Sequence, residues 1–201
     1  MKFLIAGLGN IGEEYSETRH NIGFKIAEAL AKEAGASFSL DRHAYHTSFR
    51  LKGKMLHIIK PATYMNLSGK AVKYWSEKLA IEKNQLLVIV DDIAIPFGEL
   101  RIRSKGSDGN HNGLTSMQEI FQTNEYPRMR FGIGGNFQKG QQVNYVLGRW
   151  TEQEQKLLPE NINTACEAVR SFVLIGLHPT MNLFNKTGRK PLTGDEKDQD
   201  L

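Results

Sequence analysis

Short apolar runs alternate along this chain with stretches whose apolar positions recur at helical spacing. Residues 2–6 read as a buried strand that ends in Gly7-Leu8-Gly9-Asn10. Ile22, Ile26, Ala29 and Leu30 then repeat with the period of a helix across residues 22–34. Residues 47–51 and 55–60 read as two strands around a Lys52-Gly53-Lys54 hairpin turn. A helix carrying Val72, Trp75 and Leu79 is expected after Asn66. Leu86 to Val90 is continuously apolar and rich in branched residues, which suits a central parallel strand. Leu100 to Arg103 and Arg128 to Ile133 add strands, and another helix starts near Asn112. A last long helix is expected from about Thr151 to Ile175, with Pro159 breaking or kinking it near its beginning. Alternation of this kind predicts an α/β fold: a single domain over residues 1–185, a mixed twisted sheet with helices on both faces.

The tail from Lys186 to Leu201 is polar and closes on Asp195-Glu196-Lys197-Asp198-Gln199-Asp200, so it is expected to be disordered. Elsewhere, 40% hydrophobic and 24% charged residues are enough for a packed core. A net charge of +4 suits a polyanionic partner such as RNA without pointing to one. Cys166 is the single cysteine, so the chain has neither an internal disulfide nor a Cys-based metal site. Its neighbours Ile162, Ala165 and Val169 mark it as a small core residue. The apolar run at Met1–Ala6 is too short for a signal peptide, and no run approaches a membrane span. A cytoplasmic protein is expected.

Gly7-Leu8-Gly9-Asn10-Ile11-Gly12 matches G-x-G-x-x-G after a strand, and Asp41 offers itself as the ribose acid of a dinucleotide site. That site needs a helix opening inside the glycines, so that its amides meet the pyrophosphate. Here Glu13 and Glu14 follow, and helical periodicity begins only near Ile22, which sets the dinucleotide reading aside. There is no G-x-S-x-G elbow. Gly69-Lys70 is followed by Ala71 and lacks the upstream glycine of a P-loop. His43 and His46 have no nearby Glu or Cys at ligand spacing and read as surface or sheet-edge residues.

What remains is polar and sits at strand ends or helix starts: Asn10, His20 with Asn21, Asn66, Asp91 and Asn112. In an α/β sheet these places line the crevice at the carboxyl ends of the strands. Each has a plain alternative, as a turn residue for Asn10 and Asp91 or a helix N-cap for Asn66 and Asn112. His20 is harder to set aside. In the first turn of a helix it would face the positive end of the dipole, which disfavours imidazolium. A carboxylate partner would raise its pKa and fix its tautomer, and Asp91 is the natural partner. A His–Asp pair without a nucleophilic Ser or Cys points to general-base activation of water, with side-chain amides nearby to bind an oxyanion. The reaction class is hydrolysis of an ester or amide, with the substrate open.

Taken together, the segments resemble the bacterial-type peptidyl-tRNA hydrolases. The likeness is carried by Gly7–Gly12 with Tyr15, Thr18-Arg19-His20-Asn21-Ile22-Gly23, Lys60–Gly69, Asp91–Gly98, Gly109–Leu114, Arg130–Gly134 and Val146-Leu147-Gly148, ending at Met181-Asn182. The resemblance implies one α/β domain, hydrolysis of the ester between a peptide and the 3′ ribose of tRNA, and no metal or cofactor. It makes His20 the base, Asp91 its orienting partner and Asn10 a positioning group at the peptidyl end. Asn66 becomes a candidate oxyanion donor. Asn112 holds substrate and water, His111 joins the substrate-binding residues, and Tyr15 and Met65 form apolar walls. Arg101, Arg103, Lys105 and Arg130 would meet tRNA phosphates, residues 138–146 would cover the cleft, and a monomer is implied.

Four places in the chain, five residues in all, depart from the family pattern. Ile11 and Phe97 stand where proline is usual, Ala94 where a second acid is usual, and Ser107-Asp108 where glycine is common. Asp108 would weaken phosphate attraction. Two other readings stay in view: a non-catalytic RNA-binding module on the same fold, and a nucleotide-dependent oxidoreductase.

Overall fold

The computed structural model describes residues 1–185, so the expectation for the 186–201 tail lies outside the described residues. Among the described residues, seven strands form one sheet: β1 (Lys2–Gly7), β2 (Ser39–Asp41), β3 (Ala44–Leu51), β4 (Lys54–Pro61), β5 (Leu86–Asp92), β6 (Leu100–Arg103) and β7 (Arg128–Gly132). Their order is β2-β3-β4-β1-β5-β7-β6. The four central strands are parallel, and antiparallel pairs β2–β3–β4 and β7–β6 close the two sides. Six helices follow: α1 (Ile22–Glu33), α2 (Ser68–Leu79), α3 (Asn112–Phe121), α4 (Gln142–Val146), α5 (Glu152–Ile175) and α6 (Leu177–Phe184). This is the mixed sheet that the alternating pattern predicts.

Strand periodicity assigns the two cores. Phe3 and Ile5 of β1 face one side with Ile26 of α1 and Val169 and Phe172 of α5. Leu4 and Ala6 face the other with Val72 and Trp75 of α2 and Leu114 and Met117 of α3. Both faces of the sheet are therefore covered, which is why β5 reads as an unbroken apolar run. None of the helices described is long and apolar enough to cross a membrane.

Some elements differ from expectation. β2, α4 and α6 are additional to the predicted elements, and β2 gives no signal because its three residues bury no face. α5 continues as one helical segment through Pro159, which lies in its third turn, so the expected break is absent. His46 is half-buried, not a surface residue: its ring lies 4.2 Å from that of Trp75 and its Nε2 is 3.1 Å from Nδ1 of His57.

The glycines after β1 serve packing, not a pyrophosphate. A Cβ on Gly7 would lie 2.2 Å from the Gly23 carbonyl oxygen, and one on Gly23 would lie 2.4 Å from that of Leu8. Only glycine at both positions lets α1 sit this close to β1. A 3-10 turn at Glu13–Tyr15 separates the glycines from α1, and Asp41 is bound to Lys78 at 2.8 Å. Both features remove the basis of a dinucleotide site.

Candidate active site

Because β1, β4, β5 and β7 are parallel, their carboxyl ends emerge along one edge of the sheet. Asp91 is the penultimate residue of β5 and is 2% exposed. His20 belongs to the 3-10 turn Arg19–Asn21 that leads into α1, so it stands just outside the first helical turn. Its Nδ1 donates to Oδ1 of Asp91 at 2.8 Å. That bond commits one ring nitrogen and leaves Nε2 without a protein partner among the described residues. Burial of the His20 ring opposes its charging. The charge and hydrogen bond of Asp91 outweigh that, and the pKa is raised. The carboxylate therefore prevails over the burial of the ring. Asp91 is also deeply desolvated, which by itself favours its neutral form, but His20 and His111 hold it well below the usual carboxylate range.

His111 completes the cluster in a manner the sequence did not disclose. Its Nδ1 accepts the backbone N–H of Gly113 at 3.1 Å and of Leu114 at 3.4 Å, which makes it the N-cap of α3. An accepting nitrogen carries no hydrogen, so Nε2 carries it and donates to Asp91 Oδ1 at 2.9 Å. The cap expected at Asn112 is thus supplied one residue earlier, and Asn112 is the first residue of α3. Both nitrogens of His111 are engaged within the protein, so its ring borders the cleft without a free donor or acceptor.

His20, Asp91 and His111 place three ligand-type atoms within 4.8 Å of one another, close enough together for a metal ion to be considered. A cation there would have to displace the Nε2 hydrogen of His111 and both hydrogen bonds to Asp91. The donor set fits a hydrogen-bonded triad better than a coordination sphere.

Asn10 is oriented by a reciprocal clamp. Its N–H donates to Asn21 Oδ1 at 2.8 Å, and Asn21 Nδ2 donates back to the Asn10 carbonyl at 2.9 Å. The Asn10 side-chain oxygen accepts the Met65 N–H at 2.8 Å, which leaves its Nδ2 as the available donor. Asn21, which the sequence marks only as a companion of His20, is thereby the positioning residue for Asn10. Its only signal is adjacency to His20, since the partner lies eleven residues back.

Two clefts border these residues, one at the His20–Asp91–His111 cluster and one at the Asn10–Asn21 clamp. One is lined by His20, Asp91, His111, Asn112, Arg130 and, from α4, Val143. The other is lined by Asn10, Ile11, Asn21, Phe24, Tyr45 and Lys60. Met65 is buried beside Gly113, whose Cβ would lie 2.7 Å from its sulfur. Tyr15 is half-buried and its ring meets that of Tyr64 at 6.4 Å, apart from both clefts. Asn66 is exposed in the turn before α2 and lines neither cleft.

The basic residues divide. Arg101, Arg103 and Lys105 are exposed on and beside the edge strand β6, and none forms an ion pair among the described residues. Arg130 is half-buried and spends its guanidinium on Asp92 Oδ2 at 2.9 Å and the Ser107 carbonyl at 2.7 Å.

Ile11, Phe97 and Asp108 have local roles, and nothing in the structure explains alanine at position 94. The Ile11 N–H donates to the Thr63 carbonyl at 3.2 Å, a bond that proline cannot make. The Ala94 N–H donates to Asp92 Oδ1 at 2.7 Å. Phe97 packs against Trp150 at 5.7 Å and Phe131 at 6.4 Å. Asp108 is occupied locally, accepting from the Asn110 N–H and the Thr115 hydroxyl.

Comparison with known proteins identifies the family. The family model described as peptidyl-tRNA hydrolase matches residues 4–192. A peptidyl-tRNA hydrolase of Azobacteroides pseudotrichonymphae is 52% identical over 92% of this chain and 100% of its own length. One from Bacteroides fragilis is 50% identical over 92% of this chain and 100% of its own. The crystal structure of the Acinetobacter baumannii peptidyl-tRNA hydrolase superimposes with a TM-score of 0.86 at 33% identity, covering 92% of this chain and 94% of that one. By sequence along nearly its whole described length and by fold, the chain belongs to the peptidyl-tRNA hydrolase family.

Proposed function

We propose that this protein hydrolyses peptidyl-tRNA at the ester between the peptide and the 3′ ribose, using His20 as a general base on water. One observation carries the reading: a buried His20–Asp91 hydrogen bond of 2.8 Å at the edge of a cleft, with no protein partner on the other ring nitrogen among the described residues. With Nδ1–H tied to Asp91, the lone pair of a neutral ring sits on Nε2, where it can take a proton from water. The resulting hydroxide attacks the ester carbonyl. Charge builds on the carbonyl oxygen, and the Nδ2 of Asn10, held by Met65 and Asn21, is a donor oriented before reaction. Asn112, which lines the same cleft as His20, is a further amide donor for the substrate. The imidazolium is stabilised by Asp91 and then returns its proton to the departing 3′ oxygen of the ribose. This scheme uses only side chains of the protein.

RNA affinity is assigned to Arg101, Arg103 and Lys105, which are exposed and outside any ion pair among the described residues, more than to Arg130, whose charge is shared with Asp92. The assay is release of free N-acetyl amino acid from N-acetylaminoacyl-tRNA by the wild-type protein and by His20→Ala. The variant is expected to lose about 10²–10⁴-fold in turnover while retaining tRNA binding. Undiminished turnover in the variant would remove His20 as the base. Binding without turnover in the wild type would turn the reading into that of an RNA-binding module.

A further inference from the structure

Arg19 is an almost fully buried cation next to His20 in sequence, and its contacts reach away from the catalytic cluster. Its Nη2 donates to Glu154 Oε2 at 2.7 Å, at the start of α5. Its Nη1 donates to the Tyr145 carbonyl at 3.3 Å, and the guanidinium lies 4.4 Å over the Tyr145 ring. The Arg19 backbone N–H donates to the Gly148 carbonyl at 3.1 Å, and Thr18 bridges to Arg149. Tyr145 belongs to α4, whose Gln142, Val143 and Val146 wall the cleft that holds His20. From its far side, Tyr145 is fixed by its hydroxyl, which donates to the Ile133 carbonyl at 2.6 Å just after β7.

We propose that Arg19 is a positioning residue for the hydrolysis, holding the α4 wall and the turn that carries His20 in one register. The inference rests on His20 as the base. No residue of α4 is fully buried, and only Tyr145 and Val146 rest, half-buried, against the core, so packing alone anchors this single turn of helix weakly. Its place depends on tethers, and Arg19 supplies the one that also defines the His20 turn. Arginine suits the task because its planar fork meets Glu154 and the Tyr145 carbonyl at once, whereas a lysine can serve only one of them at full strength.

The test uses Arg19→Lys and Glu154→Gln, with Lys54→Met as the control. Glutamine at position 154 can keep the capping box with Thr151 while removing the charge that Arg19 meets. Lys54 binds the Val173 and Leu174 carbonyls far from the cleft, so its loss tests instability alone. Both test variants are expected to lower kcat by about 10- to 100-fold with KM near wild type, since a misplacement of ~1 Å can cost ~10²-fold. Hydrogen exchange at the amides of Arg19 and Asn21 should quicken in step with that of Leu147 and Gly148. The control should lower thermal stability without either effect. Unchanged kcat, or faster exchange at 147–148 with none at 19–21, would overturn the proposal. If His20→Ala keeps full turnover, the base assignment fails, and the exchange data still decide whether Arg19 couples the two segments.

Discussion

His111 and His20 approach the same oxygen of Asp91, at 2.9 and 2.8 Å. One carboxylate oxygen thus takes two ring N–H donors, and the second comes from the residue that caps α3. The carboxylate that orients the base is in this way tied to the start of a helix on the opposite face of the sheet. Replacing His111 with Asn separates the two roles. Asn is a good N-cap, so stability should fall by less than with His111→Ala, where a lost cap costs about 1 kcal/mol. Turnover should fall in both variants, because Asp91 loses the same donor. Thermal melts and single-turnover rates measured together check this, and full activity in His111→Asn would show that the second donor is dispensable.

The pH dependence follows from the raised pKa of His20. The base works only when neutral, so the acid limb of kcat/KM is expected above the ordinary histidine value of about 6.5. Asp91→Asn removes the charge that raises it and leaves the burial that lowers it. The acid limb should therefore shift to lower pH while the plateau rate falls by about 10²–10⁴-fold. A limb that stays in place would mean that Asp91 does not govern the titration.

Stability is linked to the same pair. Since the folded pKa of His20 is raised, its protonated form adds stability that is fully present below the unfolded value of about 6.5 and is lost as pH rises through the folded value. For Asp91, whose pKa is depressed, the contribution is present above about 3.8 and is lost as pH falls through the folded value. Denaturant midpoints across pH for wild type and His20→Ala should differ in slope above about pH 6.5, with the wild type losing stability there. Parallel curves would contradict the shift.

Arg103→Ala should weaken tRNA binding in proportion to its loss of one phosphate contact, lowering the salt slope by about one. Hydrolysis of a minimal ester substrate should be unaffected. Equal losses on both substrates would make Arg103 a structural residue of β6.

Gly23→Ala tests the close approach of α1 to β1, since the new Cβ would lie 2.4 Å from the Leu8 carbonyl oxygen. Overpacking of this kind costs about 1–3 kcal/mol, readable as a lowered denaturant midpoint. The same shift would carry the His20 turn with it, so activity should fall as well.

Much of this protein is legible without its structure. The parallel strands announce themselves as apolar runs and the helices by their period, because burial on two faces or one leaves those imprints on local sequence. His20, Asp91 and Asn10 stand out as polar groups at element ends. The edge strand β2 leaves no imprint because none of its side chains is buried. The clamp between Asn10 and Asn21, the bond from His111 to Asp91, and the reach of Arg19 to Glu154 are also hidden. Each joins residues that only folding brings together, 11 apart for the first pair and 135 for the last. Patterning along the chain decides which faces are buried. The orientation of a catalytic ring, and the tautomer it must hold, depend on hydrogen bonds whose partners the chain order does not name.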